Sequence, residues 1–227
     1  MKIHVYNSYE EMSCAAADFV AAQLVLNPAL QLGLTAGKTP IGMFAELVRL
    51  YQAGKISFAK ASFYNLEEMV GYAPDAPESC RSFLNRHLLE HVDAQPGSLY
   101  LPDGMANDVE AECAKYDALF NNLPDGRLDT QILGIGSDGH IGCNRPAEEL
   151  ISVSHTIELS PGNVAAAMGV RSIMLAKTLV LIANGESKSK AIADMCSGKI
   201  TTAVPATLLQ LHPDVHVFLD KAAASML

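Results

Sequence analysis

Segments of two different hydrophobic periods alternate from one end of the chain to the other, and few folds accommodate that alternation. KIHVY (2–6), ALQLGL (29–34), ASFYNL (61–66), TQILGIG (130–136), LVLIANG (179–185) and VHVFLD (215–220) are short apolar runs of strand length. Between the first two, Met12, Ala16, Val20 and Leu24 recur at helical spacing behind a Ser8–Glu11 capping-box signature. A second helix is expected to open with Thr39 as N-cap and Pro40 at its first position, and to run through MFAELVRLY to Gly54. Further helices are expected near 79–91, over DVEAECAKYDALF (108–120), over ESKSKAIADMCSG (186–198) and over PATLLQLH (205–212), with a short helical turn at SIMLAK (172–177). Strands separated by helices predict an α/β, Rossmann-like, three-layer fold: a mostly parallel sheet with helices on both faces. With no repeat, low-complexity tract or linker, one domain over 1–227 is expected.

Composition narrows the function classes. Of 227 residues, 49% are apolar and 18% charged, which supports a sizeable core and argues against disorder. The net charge is −9 and no run of Lys or Arg occurs, so nucleic acid is not an expected partner. The five cysteines (Cys14, Cys80, Cys113, Cys143 and Cys196) show no C-x-x-C spacing, the pattern of free thiols in a reducing compartment. MKIHVYNSYEEMS lacks the apolar run of a signal peptide and no stretch of 18 apolar residues exists, so a cytoplasmic location and no membrane partner are expected.

Three strand-to-loop junctions carry the candidate chemistry. In LGLTAGKTP (32–40) a strand runs through a Gly/Thr turn into a helix start, where free amides and the positive dipole end suit an anion. Thr35, Ala36, Gly37, Lys38 and Thr39 are the candidate phosphate cradle, and the spacing is neither G-x-G-x-x-G nor Walker-type. FYNLEEMVG (63–71) places two carboxylates after a strand, where one can act as a base, although a Glu pair in a loop is also an ordinary solvated surface. GIGSDGHIGCNRP (134–146) holds His140 among glycines at 134, 136 and 139, with Asp138 positioned to orient the imidazole and Arg145 five residues on. Lys188 follows Gly185 at a helix start, a second candidate for an anion. His87-Leu-Leu-Glu90-His91 matches an H-x-x-E-H zinc pattern but is a decoy: no third ligand is evident downstream, and the flanking NRHLLEHVD reads as an amphipathic helix end. No metal and no cofactor is expected.

Together these segments resemble the glucosamine-6-phosphate deaminase/isomerase family, which shares its fold with 6-phosphogluconolactonases. LGLTAGKTP is similar to the family's phosphate loop, FYNLEEMVG to its N-x-D-E-Y-V-G segment, and GIGSDGHIGCNRP to its G-x-G-x-x-G-H-x-x-F-N-E-P loop; SCRSFLNRHLLEHVD, LPDGMANDVEAECAKYD, GESKSKAI and PATLLQLHP follow in family order. The resemblance implies a small-molecule sugar phosphate as partner, its phosphate held by residues 35–39 and Lys188. It also implies ring opening by His140 with Asp138, and a C2-to-C1 proton transfer by the carboxylate at Glu67. Family members occur as monomers and as hexamers, so a homo-oligomer stays open. Three positions differ from the family pattern: Glu67 replaces an aspartate, Arg145 replaces the glutamate of N-E-P, and HTIELSPGNVAAAMGVRSIMLA (155–176) is about a dozen residues shorter than the lid that carries an A-N-S-R-F motif. Deamination or isomerisation of a hexosamine 6-phosphate or related hexose phosphate is the reading these residues favour. Hydrolysis of a sugar-phosphate lactone and binding without turnover are the alternatives.

Overall fold

In the computed structural model, which describes residues 1–227, the chain runs β1 (Lys2–Tyr6), α1 (Tyr9–Leu26), β2 (Gln31–Leu34), α2 (Ile41–Gln52), β3 (Ser62–Asn65), β4 (Glu67–Met69), α3 (Cys80–His87), β5 (Leu99–Tyr100), α4 (Val109–Phe120), β6 (Thr130–Leu133), β7 (His155–Ser160), β8 (Asn163–Ala167), α5 (Val170–Leu175), β9 (Thr178–Ala183), α6 (Ser189–Met195) and β10 (Val215–Asp220). Seven strands form one sheet in the order β1-β10-β9-β6-β2-β3-β5, and every pairing in it is parallel. The expected α/β fold is therefore the observed one.

Burial explains why the central strands read as unbroken apolar runs. Parallel strands covered on both faces have no solvent side. Along β9, Leu179, Leu181 and Ala183 pack with α4, α5 and α6, whereas Val180 and Ile182 pack with α1, α2 and α3. The two faces thus build two apolar clusters, one on each side of the sheet. Truncating a fully buried leucine such as Leu34 or Leu181 to alanine would cost about 2–5 kcal/mol. The helical spacing of Met12, Ala16, Val20 and Leu24 is the buried stripe of α1. Its cap differs slightly from the expected box: Ser8 accepts from the Glu11 amide, but the Glu11 carboxylate takes the Asn7 amide at 3.0 Å.

Three local expectations are corrected. Pro40, not Thr39, occupies the N-cap position of α2, and the Thr39 hydroxyl donates instead to Asn184 Oδ1 at 2.9 Å. PATLLQLH forms a 3-10 turn over Pro205–Leu211. The H-x-x-E-H residues do not share one α-helix, because α3 stops at His87 and Leu89–His91 continues as a separate 3-10 turn. His87 packs against Phe83, and His91 Nε2 lies 2.8 Å from the Arg86 carbonyl. A small antiparallel sheet, β4-β8-β7, has no counterpart in the sequence-based reading. In it Glu67 and Glu68 belong to a strand, and β7–β8 is a hairpin turned at Pro161 and Gly162, the latter at φ +75°.

Candidate active site

Strands β2 and β6 are sheet neighbours, but the chain leaves them in opposite directions: β2 leads to β3 and β5, β6 to β9 and β10. Connections that diverge in this way open a crevice beyond the carboxyl ends of the two strands. The loops there are 35–40 after β2 and 134–145 after β6. With Glu67, Leu159 and Lys188 they line a cleft of about 360 Å3. Thr35, Ala36, Gly37, Lys38, Thr39, Glu67, His140, Arg145 and Lys188, singled out from the sequence, all line it. Asp138 stands just behind. A second cavity of about 210 Å3, between α4 and α5, contains none of these residues.

The loop after β2 is held from below by Tyr9 of α1. The Tyr9 hydroxyl accepts from the Gly42 amide at 2.8 Å and donates to the Thr39 carbonyl at 2.9 Å. Gly37 adopts φ +139°, a conformation in which an L side chain is strained. Lys38 and Lys188 enter the cleft from the two sides and neither makes an ion pair. Two uncommitted ammonium groups beside a helix start are an arrangement that suits an anion.

The loop after β6 fixes an imidazole. His140 Nδ1 lies 2.6 Å from Asp138 Oδ1, which also accepts the His140 amide at 3.2 Å. This leaves Nε2 as the exchangeable nitrogen. Burial pushes the Asp138 carboxyl up, but the His140 amide, its charge and its side-chain hydrogen bond outweigh that and hold it below the ordinary carboxylate value. Glycine at 136 leaves room for this placement of the imidazole, since a Cβ would sit 2.1 Å from His140 Nδ1. Gly139 turns the loop at φ +84°, and its carbonyl receives the Ala206 amide at 2.9 Å.

The two glutamates part company on β4, because successive strand residues face opposite sides. Glu68 turns toward α3, where it accepts from the Met69, Cys80 and Arg81 amides and from the Ser79 hydroxyl at 2.7–3.1 Å. Glu67 faces the cleft, and its Oε2 is buried without a hydrogen-bond partner. Burial, with a smaller contribution from the Glu68 charge, pushes the Glu67 carboxyl up to about 7. A carboxylate poised near neutrality is suited to move a proton in either direction.

Arg145 stands at the rim. Its Nη1 donates to the Leu159 carbonyl of β7 at 2.8 Å, and it makes no ion pair. Asn144 ties the same loop to β8, donating to the Met168 carbonyl at 3.0 Å and to that of Ile141 at 3.2 Å. The sequence-based reading missed Tyr9 and Asn184, which position the loop 35–40, and Ser137, Cys143 and Leu159, which wall the cleft. Asn184 directly after a buried strand was a signal of its place; nothing in the sequence pointed to Tyr9.

No group of three or more His, Cys, Asp or Glu side chains is arranged to hold a metal ion. No helix is long and apolar enough to cross a membrane.

Comparison with known proteins identifies the family and the fold. Residues 8–217 match the family model of glucosamine-6-phosphate isomerases/6-phosphogluconolactonase. Over their full lengths, the chain is 40% identical to a glucosamine-6-phosphate deaminase of Halothermothrix orenii and 40% identical to one of Clostridium perfringens. Among solved structures it resembles a monomeric glucosamine-6-phosphate deaminase with a TM-score of 0.95, at 34% identity and full coverage of both chains. A 6-phosphogluconolactonase from Trypanosoma cruzi shares the fold with a TM-score of 0.80, at 20% identity over 100% of this chain and 96% of that one.

Proposed function

Because the chain belongs to the glucosamine-6-phosphate isomerase/6-phosphogluconolactonase family, we propose that it deaminates and isomerises a hexosamine 6-phosphate. The phosphate docks on the amides of residues 35–39 between Lys38 and Lys188, which directs the carbon end of the sugar toward His140 and Glu67. His140, oriented by Asp138, carries the proton from O1 to O5 as the ring opens. Glu67 removes the C2 proton and returns it to C1 through an enol-type intermediate. The C2 imine formed in this way takes up water and releases ammonia and a ketose 6-phosphate.

The observation that carries this reading is the unpartnered Glu67 carboxylate, raised to about 7 in the same cleft as the His140–Asp138 pair. Hydrolysis of a lactone needs an activated water and an oxyanion site but no carboxylate between two carbons of the substrate. The relatives at 40% identity, unlike the structures related only by fold, are named as deaminases. Incubation of the protein with glucosamine 6-phosphate should release ammonia and fructose 6-phosphate in equal amounts. Lactone hydrolysis that His140→Ala abolishes, with no ammonia from the amino sugar, would replace this reading with the hydrolytic one.

A further inference from the structure

The cleft that holds Glu67 and His140 also carries a cation at its rim, Arg145. Arg145 spends one N–H on the Leu159 carbonyl and has no carboxylate partner, so the rest of its planar fork is uncommitted. It shares the cleft with Glu67, whose Oε2 is equally unpartnered, and the two opposite charges do not neutralise each other. A substrate ammonium at C2 would meet a like charge there. An oxyanion at O1 or O2 would meet a ready donor.

We propose that the same cleft also interconverts aldose and ketose forms of hexose 6-phosphates bearing a hydroxyl at C2, with Arg145 stabilising the enediolate. This rests on a sugar phosphate being the occupant of the cleft, as proposed above. In the open-chain aldose, Glu67 takes the C2 hydrogen as a proton. The electron pair left behind forms the C1–C2 double bond, and the C1 carbonyl pair moves onto O1, facing Arg145. His140 transfers the O2 proton to O1, the C2 carbonyl forms, and Glu67 returns its proton to C1. No group leaves and no oxidant or reductant is consumed. With an amine at C2 the same sequence ends in an imine and hydrolysis. Arg145 therefore sets the preference between oxygen and nitrogen at C2, and Glu67 serves both substrates.

Two probes, glucose 6-phosphate and glucosamine 6-phosphate, test this on the full chain. The wild-type protein should form fructose 6-phosphate from glucose 6-phosphate and exchange its C2 hydrogen with deuterated water. Glu67→Gln prepared in parallel should do neither, which excludes a contaminating isomerase. Arg145→Glu should lower the isomerisation roughly 100-fold, the scale of losing one oxyanion donor, while ammonia release from the amino sugar rises. Arg145→Gln, which removes the charge without reversing it, should show the same inversion if the glutamate variant does not fold. Ammonia release without isomerisation or C2 exchange in the wild-type protein would overturn this inference and leave the deaminase reading standing. Equal loss of both activities in the Arg145 variants would overturn it as well. A wild-type protein inert toward both sugars would overturn the deaminase reading too.

Discussion

Glu67 and Glu68 are consecutive residues of one short strand, yet Glu68 accepts four hydrogen bonds while Glu67 Oε2 is buried with none. The alternation of β4 divides one dipeptide into an anchor and a reactive group. Pairing of β4 with β8, Glu67 opposite Ala167 and Glu68 opposite Ala166, fixes which is which. A one-residue slip would exchange them.

The first consequence concerns pH. The folded Glu67 carboxyl titrates at about 7 against an ordinary value of 4.5, because burial disfavours its charged form. The native state therefore holds this proton more tightly than the unfolded chain, and stability falls as pH rises from 4.5 to about 7 and levels off above it. Glu67→Gln should flatten that part of the profile in urea titrations, by an amount with a ceiling of about 3 kcal/mol. It should also cut turnover by roughly 100-fold to 10,000-fold. Wild-type kcat should rise with pH along an acid limb with an apparent pKa near 7, as the base ionises.

Glu68 should behave in the opposite way. Glu68→Ala strips the partner from the Met69 amide of β4 and, at the start of α3, from the Cys80 and Arg81 amides and the Ser79 hydroxyl. Unfolding free energy should drop by roughly 3 kcal/mol, read from chemical denaturation. The Ser79→Ala variant, which loses one of these bonds, should lose less.

A methyl group separates activity from stability at residue 136. The Cβ of Gly136→Ala would lie 2.1 Å from His140 Nδ1 and 2.5 Å from Asp138 Oδ1. Both neighbours are side chains that can rotate away, so the melting temperature should change little. Turnover should fall on the order of 100-fold, because the imidazole is then misplaced. A variant with wild-type turnover would show that His140 does not act from this position.

Lys38 and Lys188 are expected to act on binding. Either alanine variant should raise KM for the sugar phosphate by roughly 10-fold to 100-fold, the scale of one charged hydrogen bond, with kcat largely retained. Competitive inhibition by inorganic phosphate should weaken in parallel. An unchanged phosphate inhibition constant in both variants would place the phosphate elsewhere.

The sequence by itself determined the sheet and the junctions at which chemistry collects. Apolar runs such as LVLIA and VHVFLD are legible because strands buried on both faces require uninterrupted apolar side chains, and helices between them force parallel pairing. The loops at 35–39 and 134–145 are legible for a local reason too: glycines, a helix start and the Asp138–His140 spacing lie within a few residues of each other. Tertiary structure alone decided what depends on distant partners. β4 lies far in sequence from the β7–β8 hairpin it pairs with, and that pairing turns Glu67 into the cleft and Glu68 onto α3. Thr39 looked like a helix cap until Asn184, 145 residues away, took its hydroxyl. The charge of Arg145 was evident in the sequence. That it has no counter-ion, and so is available to a substrate, follows only from the folded cleft, because a side chain's electrostatic partners are set by proximity in space and not by order along the chain.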